Sequence, residues 1–413
     1  MGTQENGPLR CVQLPGCKST SQRMLILAAT RPNGEQTSLS GLSGGDDTRG
    51  LIQALTLMGA QFNTPSSDTV RVTPIPRPFR FEGLQLDAGP AGSTFRFLLA
   101  LLATGQADAI LRATPRLLER PQDDLYDWLR ERGVQVALLA DGSGLHIQSQ
   151  GLAAGEWLAP TQFTSQFLSG LALATAWRSD VSVRPEALAQ VESCPGVGYW
   201  ALTRQVIELA QSGQKQWCVP SDPSAATFFL VALVLTGGQM EAPLLASAHP
   251  EAALHECLFD AGLLQRVARS SGSWVEATGR HPSEPLLVPL DSAPDAGPAL
   301  GVLGLHLASG LILQGVARLR LKESDRLEGI LRLAHHLEAE AEHDASADSL
   351  RLFGGGIPAT TPREPYDVAE DHRLAMAAGV ASLLSSSLVV NDSDCVSKSF
   401  PEFWQQLSRW TDA

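Results

Sequence analysis

Cysteine is sparse and unpaired in this sequence: Cys11, Cys17, Cys194, Cys218, Cys257 and Cys395 stand singly, with no CxxC pair and no metal-ligand spacing. Reduced thiols follow, and neither a metal nor a cofactor is expected. No apolar stretch reaches membrane-spanning length without a polar interruption. The opening MGTQENGPLR has neither the basic nor the apolar region of a secretion signal, so the chain is expected to stay in the cytoplasm and off the membrane. Positive charge is also short, with 31 Lys and Arg against 44 Asp and Glu and a net charge of -13. A field of that sign repels phosphate backbones and acidic headgroups, which excludes nucleic acid and anionic membranes as partners. Small anionic substrates remain open to it, because a local group of Lys and Arg can dominate inside a cleft.

What is present is apolar material in quantity. At 413 residues and 44% hydrophobic, the chain can bury a large core and is too long for one compact unit, so two domains are expected. One pattern recurs six times: a short polar or small-residue turn followed by a long helix rich in Leu and Ala. The instances are KSTSQRMLILAA from Lys18, AGSTFRFLLALLA from Ala91, TSQFLSGLALATA from Thr164, DPSAATFFLVALVL from Asp222, PDAGPALGVLGLHLA from Pro294 and DHRLAMAAGVASLL from Asp371. Their starts lie roughly 60 to 75 residues apart, the length of a βαβαββ unit. Each helix is apolar on nearly all sides, which predicts burial inside a domain. Between them, VRVTPIP, VQVALLA, GLHIQSQ and SLRLFGG read as strands, and DDLYDWLRERG and RLEGILRLAHHLEAEA as outer amphipathic helices.

The turns that open these helices carry the chemistry. Ser, Thr, Asp, Gly and Ala at a helix start either cap it or leave its first amides open to an anion. Capping is the plain reading for any one of them. Several of the same turns also hold cations: Lys18 and Arg23 at the first, Arg96 in the second, Arg373 in the last. A charge on a buried apolar helix is costly unless it is paired or faces a cleft. Arg116 and Arg120 in TPRLLERP, Lys322 and Arg326 in RLKESDRLEG, and Lys398 in CVSKSFPEF add further cations near turns. In KESDR, Ser324 or Asp325 caps the next helix, so Glu323 sits between two cations. That segment reads either as a surface charge cluster or as an acid able to exchange protons. Asp295, in APDAGPAL, is either an N-cap or a general base.

The runs LPGCKSTSQR, AGSTFRFLLALLA, PRLLERP, TSQFLSGLALA, SDPSAATFFLVA, PDAGPAL, LKESDRLEG, EDHRLAMA and CVSKSFPEFW resemble, in order and spacing, the motifs of the enolpyruvylshikimate-phosphate synthases, and the resemblance spans essentially the whole chain. It implies an α/β fold of two domains, each of three βαβαββ units with buried parallel helices. One domain would comprise residues 1–16 and 219–413, the other 17–218, with the active site in the cleft between them. It further implies transfer of the enolpyruvyl group of phosphoenolpyruvate to the 5-hydroxyl of shikimate 3-phosphate, by addition and then elimination of phosphate. Around shikimate 3-phosphate it places Lys18, Ser19, Arg23, Thr164, Ser165, Gln166, Ser193, Asp295 and Lys322. Around phosphoenolpyruvate it places Lys18, Gly92, Arg116, Gln166, Arg326, Arg373 and Lys398. The catalytic roles fall to Asp295 as base for the hydroxyl, and to Glu323 with Lys18 or Lys322 for the proton at the methylene carbon. A monomer sensitive to glyphosate at the donor site is the family expectation.

Some positions depart from the motifs. Cys17 and Gln22 stand where the family commonly has Ser and Asn, Pro90 and Thr164 replace a usual Asn and Ser, and Arg318 stands where some members have Asn. In SCPGVGYW, Gly196 sits where Tyr is common. Two other readings compete: an enolpyruvyl transferase acting on a UDP-sugar, and a paralogue that binds anions without catalysis. The first is opposed by the absence of any cysteine between Cys17 and Cys194, where that family carries a reactive one; the second by retention of every candidate catalytic residue. His335, His336 and His343 raise a metal site, but adjacent histidines cannot share a helix face.

Overall fold

The computed structural model describes residues 8–186, 197–242, 248–269, 272–360 and 364–411. The chain divides into two compact units, Gly16–Pro220 and Met1–Pro15 with Ser221–Ala413. The six inner helices are all present: α1 (Lys18–Ala29), α2 (Gly92–Thr104) and α3 (Ser165–Thr175) in the first unit, α4 (Pro223–Thr236), α5 (Gly297–His306) and α6 (His372–Ser382) in the second. Twelve of the fourteen residues of α4 are buried, so its all-round apolarity marks an inner helix and not a membrane span. No helix among the described residues is long and apolar enough to cross a membrane.

The sheets explain the spacing of these helices. In the first unit, Arg80–Asp87 pairs in parallel with Gln106–Arg112, which then pairs antiparallel with Gly144–Gln150, and that strand with Gln135–Leu138. A parallel pair cannot be joined by a tight turn, so the chain must cross over, and α2 is the crossover. The same order recurs with Leu286–Pro289, Leu311–Gln314, Ser349–Leu352 and Ala341–Asp344 around α5. It recurs again with Leu9–Arg10, Gln239–Glu241, Gly272–Ala277 and Leu264–Arg269 around α4. Around α1, the first strand of the set, Gln216–Cys218, comes from the far end of the unit and pairs with Thr37–Ser40. Around α3 the parallel pair is Gly155–Ala159 with Val181–Pro185, and around α6 it shrinks to a single bridge between Tyr366 and Val390.

One helix is shorter than its sequence suggests. RLEGILRLAHHLEAEA forms helix only over Arg326–His336, and Ala341–Asp344 is a strand paired with Ser349–Leu352. Glu338 takes φ 54°, and the Glu338 and Ala339 amides close back onto the His335 and Ala334 carbonyls at 2.9 Å each. This left-handed termination ends the helix, and strand pairing outweighs the helical preference of Glu and Ala. His343 therefore lies on a strand, apart from the exposed His335 and from His336, whose ring meets Tyr366.

Two packing details set the position of charged groups in the second unit. Helix Arg326–His336 crosses α6 at Gly329, where a Cβ would sit 2.4 Å from Leu374, so only glycine allows this approach. In the C-terminal segment, Phe400 and Phe403 pack on Phe228 and Phe229 of α4, which anchors the short turn Asp394–Lys398 beside the core. The SKSF motif thus fixes Lys398 by its neighbouring phenylalanine.

Candidate active site

In the unit containing α4 to α6, charge converges on Arg326, the first residue of its helix and fully buried. Its Nε donates to Asp371 Oδ2 at 2.7 Å, its Nη1 to Asp295 Oδ1 at 2.7 Å, and its Nη2 to Glu323 Oε2 at 2.6 Å. Asp325 caps that helix, accepting from the Glu328 amide at 3.0 Å, which turns Arg326 inward. Asp371 caps α6 by accepting from the Arg373 amide at 2.9 Å while also holding Arg326 and the Ser324 hydroxyl. A cap that is also a counter-ion ties the two helices at one point.

Asp295 lies in the turn Pro294–Ala296 before α5, not within the helix. Lys322 Nζ stands 3.0 Å from Oδ1, and Arg373 Nη2 3.4 Å from Oδ2. Burial by itself would raise this carboxyl, but Lys322, Arg373 and Arg326 together hold it well below the usual carboxylate range. Asp295 is therefore ionised at neutral pH, as a base must be, with its basicity damped by three cations. Lys398 Nζ reaches Glu323 Oε1 at 3.2 Å, so Glu323 sits between Lys398 and Arg326. Burial would lower Arg326 and Arg373, yet the facing carboxylates raise both above the ordinary guanidinium range, Asp371 leading at Arg326 and Asp295 at Arg373. Among the described residues four cations against three carboxylates make up this network, and Arg373 Nη1 is buried with no hydrogen bond from them.

The unit containing α1 to α3 also holds cations at its helix starts. Neither α1 nor α2 is capped by a side chain at its N-terminus, whereas Thr164 caps α3 by accepting from the Gln166 amide at 3.2 Å. Lys18, the first residue of α1, pairs with Asp47 at 2.8 Å. Arg23, one turn further, is only 2% exposed. It donates to Thr203 Oγ1 at 2.8 Å, to the Ser19 carbonyl at 2.8 Å and to the Tyr199 carbonyl at 3.4 Å, all neutral acceptors. Its guanidinium also lies over the Phe97 and Tyr199 rings. Burial, opposed by Tyr199 and Cys17, brings it down to about 10. A buried cation bonded, among the described residues, only to neutral oxygens is costly, and an incoming anion would offset the cost.

Beside it, Gln22 donates to Thr94 Oγ1 at 3.0 Å and accepts from Ser93, and Arg96 donates to Gln166 Oε1 at 2.5 Å. A Cβ at Gly92 would lie 2.9 Å from Arg120 Nη1 and 3.0 Å from Arg96 Nη1. Two guanidinia thus border the open start of α2. Gly92→Ala is expected to leave stability within about 1 kcal/mol, since flexible side-chain ends can move, and to weaken the anion held there by about tenfold or more. Steady-state kinetics on the variant check this; an unchanged Michaelis constant for the anion counts against the site.

The residues picked from sequence thus fall into two groups. Asp295, Lys322, Glu323, Arg326, Arg373 and Lys398 form one network; Lys18, Ser19, Arg23, Gly92, Thr164, Ser165 and Gln166 line the starts of α1, α2 and α3. Arg116 does not join them: its side chain is 44% exposed and pairs with Glu119 at 3.6 Å, while Arg120, four residues on, reaches Gly92. Ser193 lies outside the described residues. Sequence reasoning missed Asp371, legible only as a cap, and Asp47, which no motif singled out.

The family model for EPSP synthase (3-phosphoshikimate 1-carboxyvinyltransferase) matches residues 7–192 and 202–407. The chain is 30% identical over 432 residues to the 3-phosphoshikimate 1-carboxyvinyltransferase of Cupriavidus necator, covering 97% of this chain and 96% of that one. To the Vibrio vulnificus protein of the same name it is 28% identical over 431 residues, covering 96% and 95%. Among solved structures, an EPSP synthase from Acinetobacter baumannii superposes with a TM-score of 0.73 at 21% identity, covering 98% of this chain and 96% of that one. The enolpyruvyl transferase NikO from Streptomyces tendae does so at 0.63 and 16%, with the same coverage. Both likenesses are of fold. The stretch unmatched by the family model, residues 193–201, contains Ser193 and Tyr199.

Proposed function

The chain belongs to the EPSP synthase family, and on that basis we propose how its two charged clusters divide the work. It catalyses transfer of the enolpyruvyl group of phosphoenolpyruvate to shikimate 3-phosphate, a step in aromatic amino acid biosynthesis. The two compact units are the two domains, and the clusters of both serve the same pair of substrates. The observation that carries this assignment is Arg23, buried and, among the described residues, bonded only to neutral oxygens. It receives the phosphate of shikimate 3-phosphate, with Lys18, Ser19, Thr164, Ser165 and Gln166 around it. Phosphoenolpyruvate takes Arg96 and Arg120 over Gly92 in one unit, and Arg373, Lys398 and Arg326 in the other. Lys18 contributes to both substrates. Arg120 replaces Arg116 in this assignment because its guanidinium borders the start of α2.

The 5-hydroxyl attacks C2 of phosphoenolpyruvate, Asp295 takes the hydroxyl proton, and C3 gains a proton from Glu323, helped by Lys18 or Lys322. The resulting tetrahedral intermediate then loses a proton from C3 and expels phosphate, restoring the double bond. The surrounding Lys and Arg side chains stabilise the departing phosphate because they are already in place. Glyphosate competes with the donor, and the enzyme works as a cytoplasmic monomer; the family resemblance supports both.

A coupled assay of phosphate release tests the roles. Asp295→Asn is expected to lower kcat by about 10²- to 10⁴-fold while both substrates still bind, whereas Lys18→Ala raises both Michaelis constants. Wild-type turnover in Asp295→Asn would remove the base from the scheme.

A further inference from the structure

Between the cation-bearing starts of α1 and α2 stands a fully buried side chain that has no part in the chemistry above. Gln22 lies one turn after Lys18 on the same face of α1 and next to Arg23. Its amide nitrogen donates to the Thr94 hydroxyl at 3.0 Å, and its amide oxygen accepts from the Ser93 hydroxyl. Both partners belong to the first turn of α2; Thr94 is buried and Ser93 half-buried. Successive residues of a helix point about 100° apart, so an amide bonded to both fixes the rotation of α2 as well as its distance from α1. Rotation matters because Gly92 and Arg96, four residues apart, share a face. Toward α3 the helix is held by other contacts: a Cβ at Gly170 would lie 3.1 Å from the Arg96 carbonyl, and Arg96 donates to Gln166. Arg23 has acceptors of its own in Thr203, Ser19 and Tyr199.

We propose that Gln22 is a positioning residue for the donor: its amide sets the first turn of α2 against α1, so that Gly92 and Arg96 face Arg120 in the arrangement an anion needs. The proposal rests on the reading that phosphoenolpyruvate binds at the start of α2. Gln22 touches no reacting atom and acts through α2 alone. An apolar side chain of similar length fills the same space, but dispersion contacts have no direction, whereas two hydrogen bonds from one planar amide do. Without them the first turn of α2 settles in a slightly different rotation, and Arg96 moves relative to Arg120. A misplacement of about 1 Å suffices to weaken bidentate contacts to a phosphate or carboxylate. Because Arg23 keeps its own acceptors, binding of the acceptor phosphate changes little.

Michaelis constants for both substrates, each measured at saturation of the other, and melting temperatures test this in wild type, Gln22→Met, Gln22→Met/Thr94→Val and Gly92→Ala. In Gln22→Met the constant for phosphoenolpyruvate is expected to rise roughly 5- to 30-fold, while that for shikimate 3-phosphate stays within about twofold. The melting temperature falls, because the Thr94 hydroxyl loses its partner in a buried place. Adding Thr94→Val replaces both ends of that bond by apolar groups of matching shape and leaves only the half-buried Ser93 hydroxyl, which water can reach. The double variant is therefore expected to recover most of the melting temperature and none of the donor affinity. A donor constant that recovers together with the melting temperature gives Gln22 a purely structural role and overturns the proposal. So does an unchanged donor constant in Gln22→Met, or a rise for shikimate 3-phosphate as large as that for the donor. Should Gln22→Met not fold, the double variant carries the test, and a wild-type donor constant in it is again fatal. If Gly92→Ala leaves the donor constant unchanged, the donor-site reading itself fails; if it raises the constant and Gln22→Met does not, only the present proposal falls.

Discussion

Replacing Arg326 with alanine is expected to cost about 3–5 kcal/mol of stability and to abolish turnover. The side chain is fully buried and bonded to three carboxylates, on Asp371, Asp295 and Glu323. Removing it leaves Asp371 as an uncompensated buried charge and frees the contact that ties α6 to helix Arg326–His336. Arg326→Lys is expected to recover only part of the loss, because one ammonium cannot serve three acids in the directions a guanidinium does. Urea or thermal unfolding reads the effect, and pH sharpens it. The folded-state value of Asp295 is depressed, so its contribution is present above its unfolded value of about 3.8 and is lost as pH falls through the depressed one. In Arg326→Ala only Lys322 and Arg373 still hold it down, so its folded value lies closer to the unfolded one and this loss on acidification should be smaller than in wild type and end at higher pH. Equal unfolding free energies in wild type and Arg326→Ala would show that the network contributes nothing net.

Arg23→Met is expected to do the opposite to stability while damaging binding. Loss of a buried guanidinium that meets a phosphate costs about 2–4 kcal/mol of affinity, or roughly 30- to 1,000-fold in the Michaelis constant for shikimate 3-phosphate. The free protein gains. Burial holds Arg23 below its ordinary value, so folding disfavours its charge at every pH below about 10, and an apolar side chain against Phe97 removes that penalty. The melting temperature should stay level or rise, in contrast to Arg326→Ala. A fall comparable to that of Arg326→Ala would make Arg23 a structural cation and take the acceptor phosphate elsewhere.

The contrast between these two arginines was not legible in the chain. Both follow a turn, both enter a helix and both lie in motifs of similar appearance. Which one meets acids depends on residues 45 positions away in one case, Asp371, and 180 in the other, Thr203. The same limit separated Arg116 from Arg120: four residues apart near one short helix, they differ in whether they face solvent or Gly92. Glu251 was hidden for a related reason, since an acid in the first turn of the helix Pro250–Asp260 reads as a favourable surface residue until the tertiary structure buries it.

What the chain determined by itself was whatever local pattern controls. Six segments apolar on every face had to become inner helices, because no surface position tolerates them, and their spacing required crossover units. Composition carried a further signal. The chain has only four lysines, Lys18, Lys215, Lys322 and Lys398. Three of them stand in the two clusters, where a charge retained in a lysine-poor protein has a use. Tertiary structure alone decided which cations meet carboxylates and which meet neutral oxygens, and where Arg326–His336 gives way to a strand. Those outcomes are set by burial and by charges from distant segments, and electrostatic free energy in a low-dielectric interior depends on distances that no local pattern encodes.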